Sequence, residues 1–389
     1  MDFYQFNCPT RVVFNNGIAR DFNAELASFG ASRFFVITDR QLVSLKLIDP
    51  ILQGMKSGGH EVVGIFSDVP SNSELKIVQK AADQAVRSEA EGILAIGGGS
   101  VIDTAKAASI LFTHGGDLVN DFSGAQTLPG PLKPLIALPT TAGTGSEVSS
   151  AAVILDETTH QKLSFVDRHL APHLAILDPE LTLGLPPKLT AATAMDALTH
   201  AIESYTSLQS NPISQGFSSV SIHLIRKSLM RAVLHGEDLA ARGDLLTAAT
   251  MAGIAFDHAM VGVVHGMAHA TGGLTGLHHG TANSIFLPWG MEYNLEAAKG
   301  KYAEIAEHLG VRKSSMDEAE SALAAIAAVK RLREELYHAC GLPFRLRDAG
   351  VSEQLLEAIA EGAVNDGTSF YNPREVVKEE VLKQIKKAY

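Results

Sequence analysis

The first half of the chain alternates short β-branched and aromatic runs with amphipathic helical stretches, and this alternation limits the folds open to it. Four runs read as buried strands: Arg33–Asp39, Glu61–Phe66, Gly92–Ile96 and Pro134–Leu138. Helical patterns lie between them, for example at Ser73–Glu89 and Ser100–Phe112. Strands and helices alternating at this spacing are typical of a parallel sheet with helices on its faces. The first half is therefore predicted to be an α/β domain.

The pattern changes at Leu185-Pro186-Pro187. Two consecutive prolines cannot continue a helix or a central strand, so they predict a linker. Beyond them the composition, rich in Ala, Leu, Glu and Lys, predicts helices: Ala191–Thr206, Ile213–Leu234, Ala240–Ala259 and Ser315–Cys340. We therefore predict two domains, an α/β domain over residues 1–185 and an all-helical domain over residues 186–389. Residues 152–166 read as a hairpin appended to the sheet, with its turn at residues 157–160.

The charge balance narrows the class of partner. The chain has 389 residues, with 32 Lys and Arg against 43 Asp and Glu, and a formal net charge of −11. This acidic balance disfavours nucleic acid and anionic membranes as partners. We find no signal-peptide pattern, no apolar run long enough for a bilayer, and only 2 cysteines, too few for a disulfide framework. We expect a cytoplasmic protein with a small-molecule substrate.

Two loops of small residues follow predicted strands. The glycine loop, Gly97–Ser100, opens a helix, where backbone N–H groups and the helix dipole favour a phosphate. The threonine loop, Pro139–Ser146, offers hydroxyl and amide donors without bulk. Ligands of open α/β sheets bind at the carboxyl ends of the strands, so the two loops together predict a nucleotide site. A tight turn and a polar loop without a ligand remain the alternatives, because the G-x-G-x-x-G fingerprint is absent.

Asp39 ends the first of the predicted strands. A carboxylate in this position can accept from both ribose hydroxyls of an adenosine and repel a 2′-phosphate, which favours NAD. It can equally cap the helix that follows. Arg40 beside it leaves NADP open.

Residues 262–280, GVVHGMAHATGGLTGLHHG, place four histidines in an apolar, glycine-rich segment. His265 and His269 stand four residues apart in a predicted helix. Residues 271–276 then read as a bend that leads to His278 and His279. A single histidine in such a segment is more often a satisfied core residue, but several beside glycines favour a metal site.

A second pair strengthens the metal hypothesis. Asp196 and His200 are also four residues apart in a predicted helix, so their side chains share one face. One carboxylate and three neutral imidazoles suit Fe²⁺ or Zn²⁺. A zincin-type protease is disfavoured because the HExxH pattern is absent.

These segments together resemble the iron-containing (group III) alcohol dehydrogenase family over essentially the whole chain. The matching segments are Gly97–Lys106, Pro139–Glu147, Ala191–Glu203, Val264–His269 and Asn372–Arg374. The resemblance implies a dinucleotide-binding α/β domain followed by a helical domain, the dehydroquinate synthase-like fold, with the active site in the cleft between them. It also implies hydride transfer between NAD(P) and a small primary alcohol, diol or aldehyde, and a homodimer or larger homo-oligomer.

The resemblance implies roles for individual residues. The implied ligands of Fe²⁺, or alternatively Zn²⁺, are Asp196, His200, His265 and His279. His269 matches a histidine near the substrate that is not a ligand and can relay a proton. The implied contacts to NAD, with NADP possible, are Asp39, Asn72, Gly97, Gly98, Gly99, Ser100, Val101, Thr140, Thr141, Thr144 and Lys162. The implied substrate pocket includes Ala151, Phe256 and His278.

The chain departs from the family pattern around that pocket. Ala270 and His278 stand where the family often has proline, and His258 and Ala151 are atypical. His278 therefore either contacts substrate or competes with His279 as a ligand. Three alternative functions stay open. They are a lyase of the dehydroquinate synthase type, which needs a Lys and Arg cluster for a phosphorylated acid, a nucleotide-binding protein without catalysis, and a zinc-dependent polyol dehydrogenase.

Overall fold

The structure, a computed structural model, describes residues 3–158 and 161–389. The chain divides into two compact units, an α/β unit of residues Asn7–Gly184 and a helical unit of Leu185–Tyr389 together with the N-terminal residues up to Phe6. Among the described residues, the α/β unit contains strands β1 to β9: Arg11–Phe14, Arg33–Ile37, Glu61–Phe66, Gly92–Gly97, Gly124–Ala125, Leu135–Pro139, Ala151–Asp156, Gln161–Val166 and Leu174–Leu177.

The helices follow the same division. In the described part of the α/β unit, helices α1 to α6 are Asn23–Leu26, Arg40–Ser44, Asp49–Ser57, Leu75–Arg87, Gly99–His114 and Leu118–Phe122. In the helical unit, helices α7 to α14 are Pro187–Thr206, Pro212–Leu234, Leu239–Ala259, Val263–Thr275, His279–His308, Glu318–Cys340, Leu356–Asn365 and Lys378–Ala388. The helical unit has no strand among its described residues.

The main sheet of the α/β unit is parallel throughout, in the order β1-β9-β6-β4-β2-β3. Alternate side chains of a strand point to opposite faces. On β2, Phe34 and Val36 enter one apolar cluster, whereas Phe35 and Ile37 enter another on the opposite face. The inner strands β9, β6, β4 and β2 are buried on both faces, which is why β2, β4 and β6 read as continuous apolar runs. The prediction that Glu61–Phe66 is a buried strand is wrong in this respect: β3 lies at the sheet edge, and only its last residue, Phe66, is buried. The predicted α/β class is confirmed.

The sequence pattern locates β2, β3, β4 and β6 to within two residues, but it misses β1 and β9. β9 is a run of only four apolar residues, Leu174–Leu177, and a run this short does not distinguish a strand from part of a helix. β1 lies at the sheet edge and is largely exposed, so it has no buried run to detect. Both strands are recognised only through their pairing with β6 and with each other.

The hairpin prediction is correct for its strands and wrong for their placement. β7 and β8 pair antiparallel from Ala151 to Val166, but with β5 they form a separate three-stranded sheet. One cause is Asp103 on α5, whose carboxylate accepts from the backbone N–H of Val153 at 3.1 Å and ties β7 to this helix. The predicted turn reaches Thr159 and His160, which lie outside the described residues.

α7 starts earlier than the composition predicts, at Pro187 instead of Ala191. Proline is favourable in the first turn of a helix, because its missing N–H would have no partner there. The double proline therefore starts the helix, with Pro186 as its extended N-cap. Almost every residue of α7 from Thr190 onward is buried, so this helix lies at the centre of its unit.

The predicted bend at residues 271–276 is wrong in extent. Gly272 and Gly273 continue α10, which ends at Thr275, and the chain turns at Gly276 with a φ of +71°. A left-handed glycine is the usual end of a helix.

Among the described residues, no single helix has the length and apolar composition needed to span a bilayer. The pair α9 and α10, which is bent by 104°, passes that test by length and composition only.

Candidate metal centre and nucleotide loops

Four side chains of the helical unit bring one possible ligand atom each to the same place. Asp196 and His200 lie one turn apart on α7, His265 lies on α10, and His279 is the first residue of α11. The four atoms all lie within 4.8 Å of one another. We call these residues the four-donor group. Asp196, His200 and His265 are buried and His279 is half-buried.

The donor chemistry of this group fits a divalent cation. A carboxylate oxygen and three imidazole nitrogens are the ligands that Fe²⁺ and Zn²⁺ accept. The group contains His279 and not the adjacent His278, whose ring is exposed on the helical unit.

Gly280 explains how α11 comes so close to α7. A Cβ atom at this position would lie 2.3 Å from the carbonyl oxygen of Ala192, one turn before Asp196. Any side chain at Gly280 would push the start of α11, and His279 with it, away from α7. The glycine after the last donor is therefore a packing requirement of the group.

Glu203 on α7 holds His265 in a fixed orientation. Its buried carboxylate lies 2.6 Å from the imidazole Nδ1 of His265. The same carboxylate accepts from the backbone N–H groups of Gly262, Val264 and His265 at the start of α10. Because a carboxylate only accepts, the proton of the neutral imidazole resides on Nδ1, and Nε2 presents its lone pair. Glu203 thus joins the two helices that carry three of the four donors.

Sequence reasoning assigned no role to Glu203, although it lies in a matched segment. Its position three residues after His200, on the same side of the helix, is a signal that could have found it.

His269 lies beside the four-donor group without belonging to it. Its ring stacks on the ring of His279, with the centroids 5.2 Å apart. Its Nδ1 lies 2.9 Å from Asp366 Oδ2. Burial raises the pKa of Asp366, but the bond and charge of His269, with bonds from Thr368, outweigh it and hold this pKa below its usual range. Asp366 is a second orienting carboxylate that the sequence did not indicate.

The predicted pocket residue Phe256 and the atypical His258 lie in different environments of the helical unit. Phe256 stacks on the ring of His200 at a centroid distance of 4.5 Å, so it lines the four-donor group. The ring of His258 packs instead against Phe6 in a tilted arrangement, with the centroids 4.3 Å apart, and its Nδ1 lies 2.8 Å from the carbonyl oxygen of Ile254. His258 therefore anchors the N-terminal segment on α9.

In the α/β unit, the glycine loop and the threonine loop pack against each other. They follow the adjacent strands β4 and β6, and the backbone N–H of Thr140 donates to the carbonyl of Gly97 at 3.0 Å. A Cβ at Gly99 would lie 2.5 Å from Thr144 Cγ2, and one at Gly98 would lie 3.2 Å from Thr141. These glycines are required because the two loops approach so closely. Gly98 is the N-cap of the 16-residue helix α5, so unpaired N–H groups lie there.

A third segment joins these loops. Ser100 Oγ donates to the carbonyl of Ser71 at 2.6 Å, and Ser73 Oγ donates to the carbonyl of Ser100 at 2.7 Å. Asn72 lies between the two serines and so beside the glycine loop. Val101 is buried and packs where a Gly97 side chain would stand, and its backbone N–H donates to the carbonyl of Gly98 at 3.0 Å.

Two charged residues of α5 hold the end of the threonine loop and the segment that follows it. Lys106 on α5 donates to Ser149 Oγ at 3.0 Å and to the carbonyl of Ala151 at 2.9 Å. Asp103 accepts from Ser146 Oγ at 2.5 Å. Burial raises the pKa of Asp103, while the Lys106 charge, these hydrogen bonds and the more distant charge of Lys162 on β8 oppose the rise.

Asp39 adopts the alternative role considered for it. Its side chain accepts from the backbone N–H of Leu42 at 2.9 Å and caps α2. Arg40 is paired with Asp68 at 2.7 Å.

Two family models match the chain. Residues 9–179 match "Iron-containing alcohol dehydrogenase", and residues 190–389 match "Fe-containing alcohol dehydrogenase family, C-terminal".

Individual proteins agree with this. The chain is 38% identical over 362 residues to 1,3-propanediol dehydrogenase of Klebsiella pneumoniae, covering 92% of each chain. It is 35% identical to NAD-dependent methanol dehydrogenase of Bacillus methanolicus, covering 98% of this chain and 99% of the other. The solved structure of an alcohol dehydrogenase from Oenococcus oeni superposes with a TM-score of 0.95 at 35% identity, covering 100% of both chains. This chain therefore belongs to the iron-containing alcohol dehydrogenase family.

Proposed function

We propose that this protein is a metal-dependent, NAD(P)-linked alcohol dehydrogenase or aldehyde reductase. The observation that carries the proposal is the convergence of Asp196, His200, His265 and His279, within 4.8 Å, in a member of this family. Small primary alcohols, diols and short aldehydes are the proposed substrates, because relatives are named for propanediol and methanol.

The four-donor group would hold the metal, Fe²⁺ first and Zn²⁺ second. When bound, a divalent cation supplies a Lewis acid for the alcohol oxygen, and a nicotinamide supplies the hydride acceptor. Glu203 supports binding by presenting the Nε2 lone pair of His265. Phe256, stacked on His200, supplies an apolar wall that suits a small alcohol.

His269 is the proposed proton relay. Its Nδ1 is engaged by Asp366, which leaves Nε2 to accept the proton that an alcohol loses or to return one to an aldehyde reduction product. The ring lies beside His279, so it is close to the place where the substrate oxygen would bind.

The nucleotide is proposed to bind at the two loops of the α/β unit. The N–H groups at the start of α5 would receive the pyrophosphate, and Thr140, Thr141 and Thr144 would supply further donors. Asn72, Asp39 and Lys162 are proposed as additional contacts. NAD is favoured over NADP because the Arg40 charge is neutralised by Asp68, and because one relative is named NAD-dependent.

We further propose that residues 1–185 act as the nucleotide-binding domain and residues 186–389 as the metal-binding domain. A cytoplasmic homodimer or larger homo-oligomer is proposed for the assembled enzyme. His278 is assigned to the substrate pocket, as is Ala151.

The test is NADH consumption by metal-stripped protein with a panel of short aldehydes, after adding Fe²⁺ under argon or Zn²⁺. We expect activity to return with Fe²⁺. Protein that binds NADH but stays inactive with either metal would contradict the proposal and direct the search to phosphorylated acids, the substrates of the lyase alternative.

A further inference from the structure

Asn283 occupies a position that no ligand assignment explains. It lies on α11, one turn after His279, and its side chain is fully buried. Its amide Nδ2 lies 2.7 Å from Asp196 Oδ1, 3.2 Å from His265 Nε2 and 3.1 Å from His279 Nε2. One amide group therefore contacts three of the four donors, and these three come from three different helices.

The chemistry of its neighbours determines which amide atom faces the group. Asp196 Oδ1 is an acceptor, and His265 Nε2 is an acceptor because Glu203 keeps the proton on Nδ1. Only the NH₂ end of the amide can satisfy both. The opposite atom, Asn283 Oδ1, is buried and finds no hydrogen-bond partner among the described residues. Burying this oxygen without a hydrogen bond costs desolvation free energy, and the contacts of the amide nitrogen with the four-donor group offset part of that cost.

In this orientation Asn283 is not itself a metal donor. The amide nitrogen carries two hydrogens, and its lone pair is delocalised into the carbonyl, so it offers nothing to a cation. Its two hydrogens do reduce the repulsion that the Asp196 carboxylate and the His265 Nε2 lone pair would otherwise exert on each other. Without it, Asp196 and His279 would lose a shared contact that holds them beside His265, which Glu203 orients.

We propose that Asn283 is a positioning residue of the metal centre, which holds the donor atoms together before the cation arrives and so strengthens cation binding without ligating. The proposal rests on the metal site of the proposed function. With a cation bound at the imidazole nitrogens, Asp196 would be the acceptor that the amide keeps. Partners that orient metal ligands typically change affinity by about 10- to 100-fold.

The test is Co²⁺ binding, measured by its visible absorption in competition with a chelator, in full-length N283A and wild-type protein. We expect N283A to fold, because alanine favours a helix, and to bind Co²⁺ about 10- to 100-fold more weakly. N294A is the matched control. Asn294 is also buried on α11, and its amide exchanges two bonds of 2.8 Å with Asn372 instead of with a donor. We expect N294A to bind Co²⁺ as tightly as wild type.

The outcomes separate this inference from the proposed function. If the wild-type protein fails to bind Co²⁺, the proposed metal site itself is contradicted. Wild-type binding with unchanged or tighter binding by N283A would overturn the role of Asn283 alone. Changed absorption bands in N283A at saturating Co²⁺ would make Asn283 a ligand, which also overturns it. If N283A does not fold, N283S is measured in the same way, with the same expected weakening.

Discussion

The loops of the α/β unit and the four-donor group of the helical unit are built in opposite ways. The glycine and threonine loops are continuous stretches of chain on neighbouring strands, and they approach each other because side chains are missing at Gly98 and Gly99. The four-donor group assembles side chains from three helices, separated by as many as 83 positions from Asp196 to His279. The loops of the α/β unit depend on glycines, which have no side chain. The four-donor group depends on side chains that other side chains hold in place.

The difference has a physical origin. A pyrophosphate is bound largely by backbone N–H groups, which any sequence supplies once the backbone can approach. A cation needs specific lone pairs at fixed positions, so each donor requires its own support. Glu203 and Asn283 give that support to His265 and Asp196, whereas Gly280 gives it by leaving room.

The largest expected effect tests whether a side chain beside the group acts in catalysis and not in metal binding. H269A should lower the turnover number by about 10²- to 10⁴-fold, the usual contribution of a general acid or base. Bound metal, measured by elemental analysis, should stay at the wild-type level. H308A is the control and should lose far less, because His308 is the last residue of α11 and its ring contacts Tyr205 instead of the four-donor group. Metal loss in H269A would make it a ligand and refute the assignment.

A second substitution, E203Q, removes the charge of the residue that orients His265 and keeps the size of its side chain. It should lower the free energy of unfolding by about 3 kcal/mol, because three backbone N–H groups and the imidazole Nδ1 of His265 lose a buried, charged hydrogen-bond acceptor. It should also weaken Co²⁺ binding. Urea unfolding and chelator competition measure the two effects.

E304Q is the control for E203Q. Glu304 is an exposed glutamate of α11 that accepts from the hydroxyl of Tyr205 at 2.5 Å, and Tyr205 does not belong to the four-donor group. We expect E304Q to leave Co²⁺ affinity unchanged. Equal Co²⁺ affinity of E203Q and wild type would show that Glu203 serves the helix start alone.

A third substitution fills the space that lets α11 approach α7. G280A should destabilise the protein by about 1–3 kcal/mol, since its Cβ meets a backbone carbonyl. G273A is the control: its Cβ meets no atom within 4 Å outside its own helix. It should raise stability by about 0.5–1 kcal/mol, as Gly to Ala does within helices. Thermal or urea unfolding measures the stability of both variants, and we expect changes of opposite sign. Equal changes in stability would refute the packing explanation.

The smallest expected effect tests the other region. G99A should raise the Michaelis constant for NAD⁺ about tenfold, which corresponds to about 1.4 kcal/mol, because its Cβ displaces Thr144. Co²⁺ affinity should not change. G130A, with no atom within 4 Å of its Cβ, should leave both values as they are. A G99A enzyme with an unaltered Michaelis constant would argue against nucleotide binding at these loops.

Much of the fold followed from local patterns. Buried strands such as β2 and β4 are runs of apolar residues long enough to be recognised, and the change after residue 185 is a change of composition. The strands and pairings that the sequence pattern did not predict depend on contacts between distant parts of the chain. β1 and β9 are short, and the separate sheet of β5, β8 and β7 depends on pairings that no single segment encodes.

The candidate donors were also found by local spacing, helped by the family resemblance. Asp196 and His200 are one turn apart, and His265 and His279 flank a glycine-rich segment. The choice of His279 over His278 rested on the family motif, and the structure places the His279 ring in the group.

By itself, the sequence determined the α/β and helical classes, the glycine and threonine loops and the two histidine-bearing segments, because strand and helix periodicity and the chemistry of short motifs are local properties. The choice of the four candidate ligands came from the family resemblance. Only the tertiary structure decided that Glu203 orients His265, that Asp366 orients His269, that Asp39 caps a helix and that Asn283 contacts three donors. Such contacts join residues up to 97 positions apart. They depend on how helices pack, and packing is a property of the whole chain.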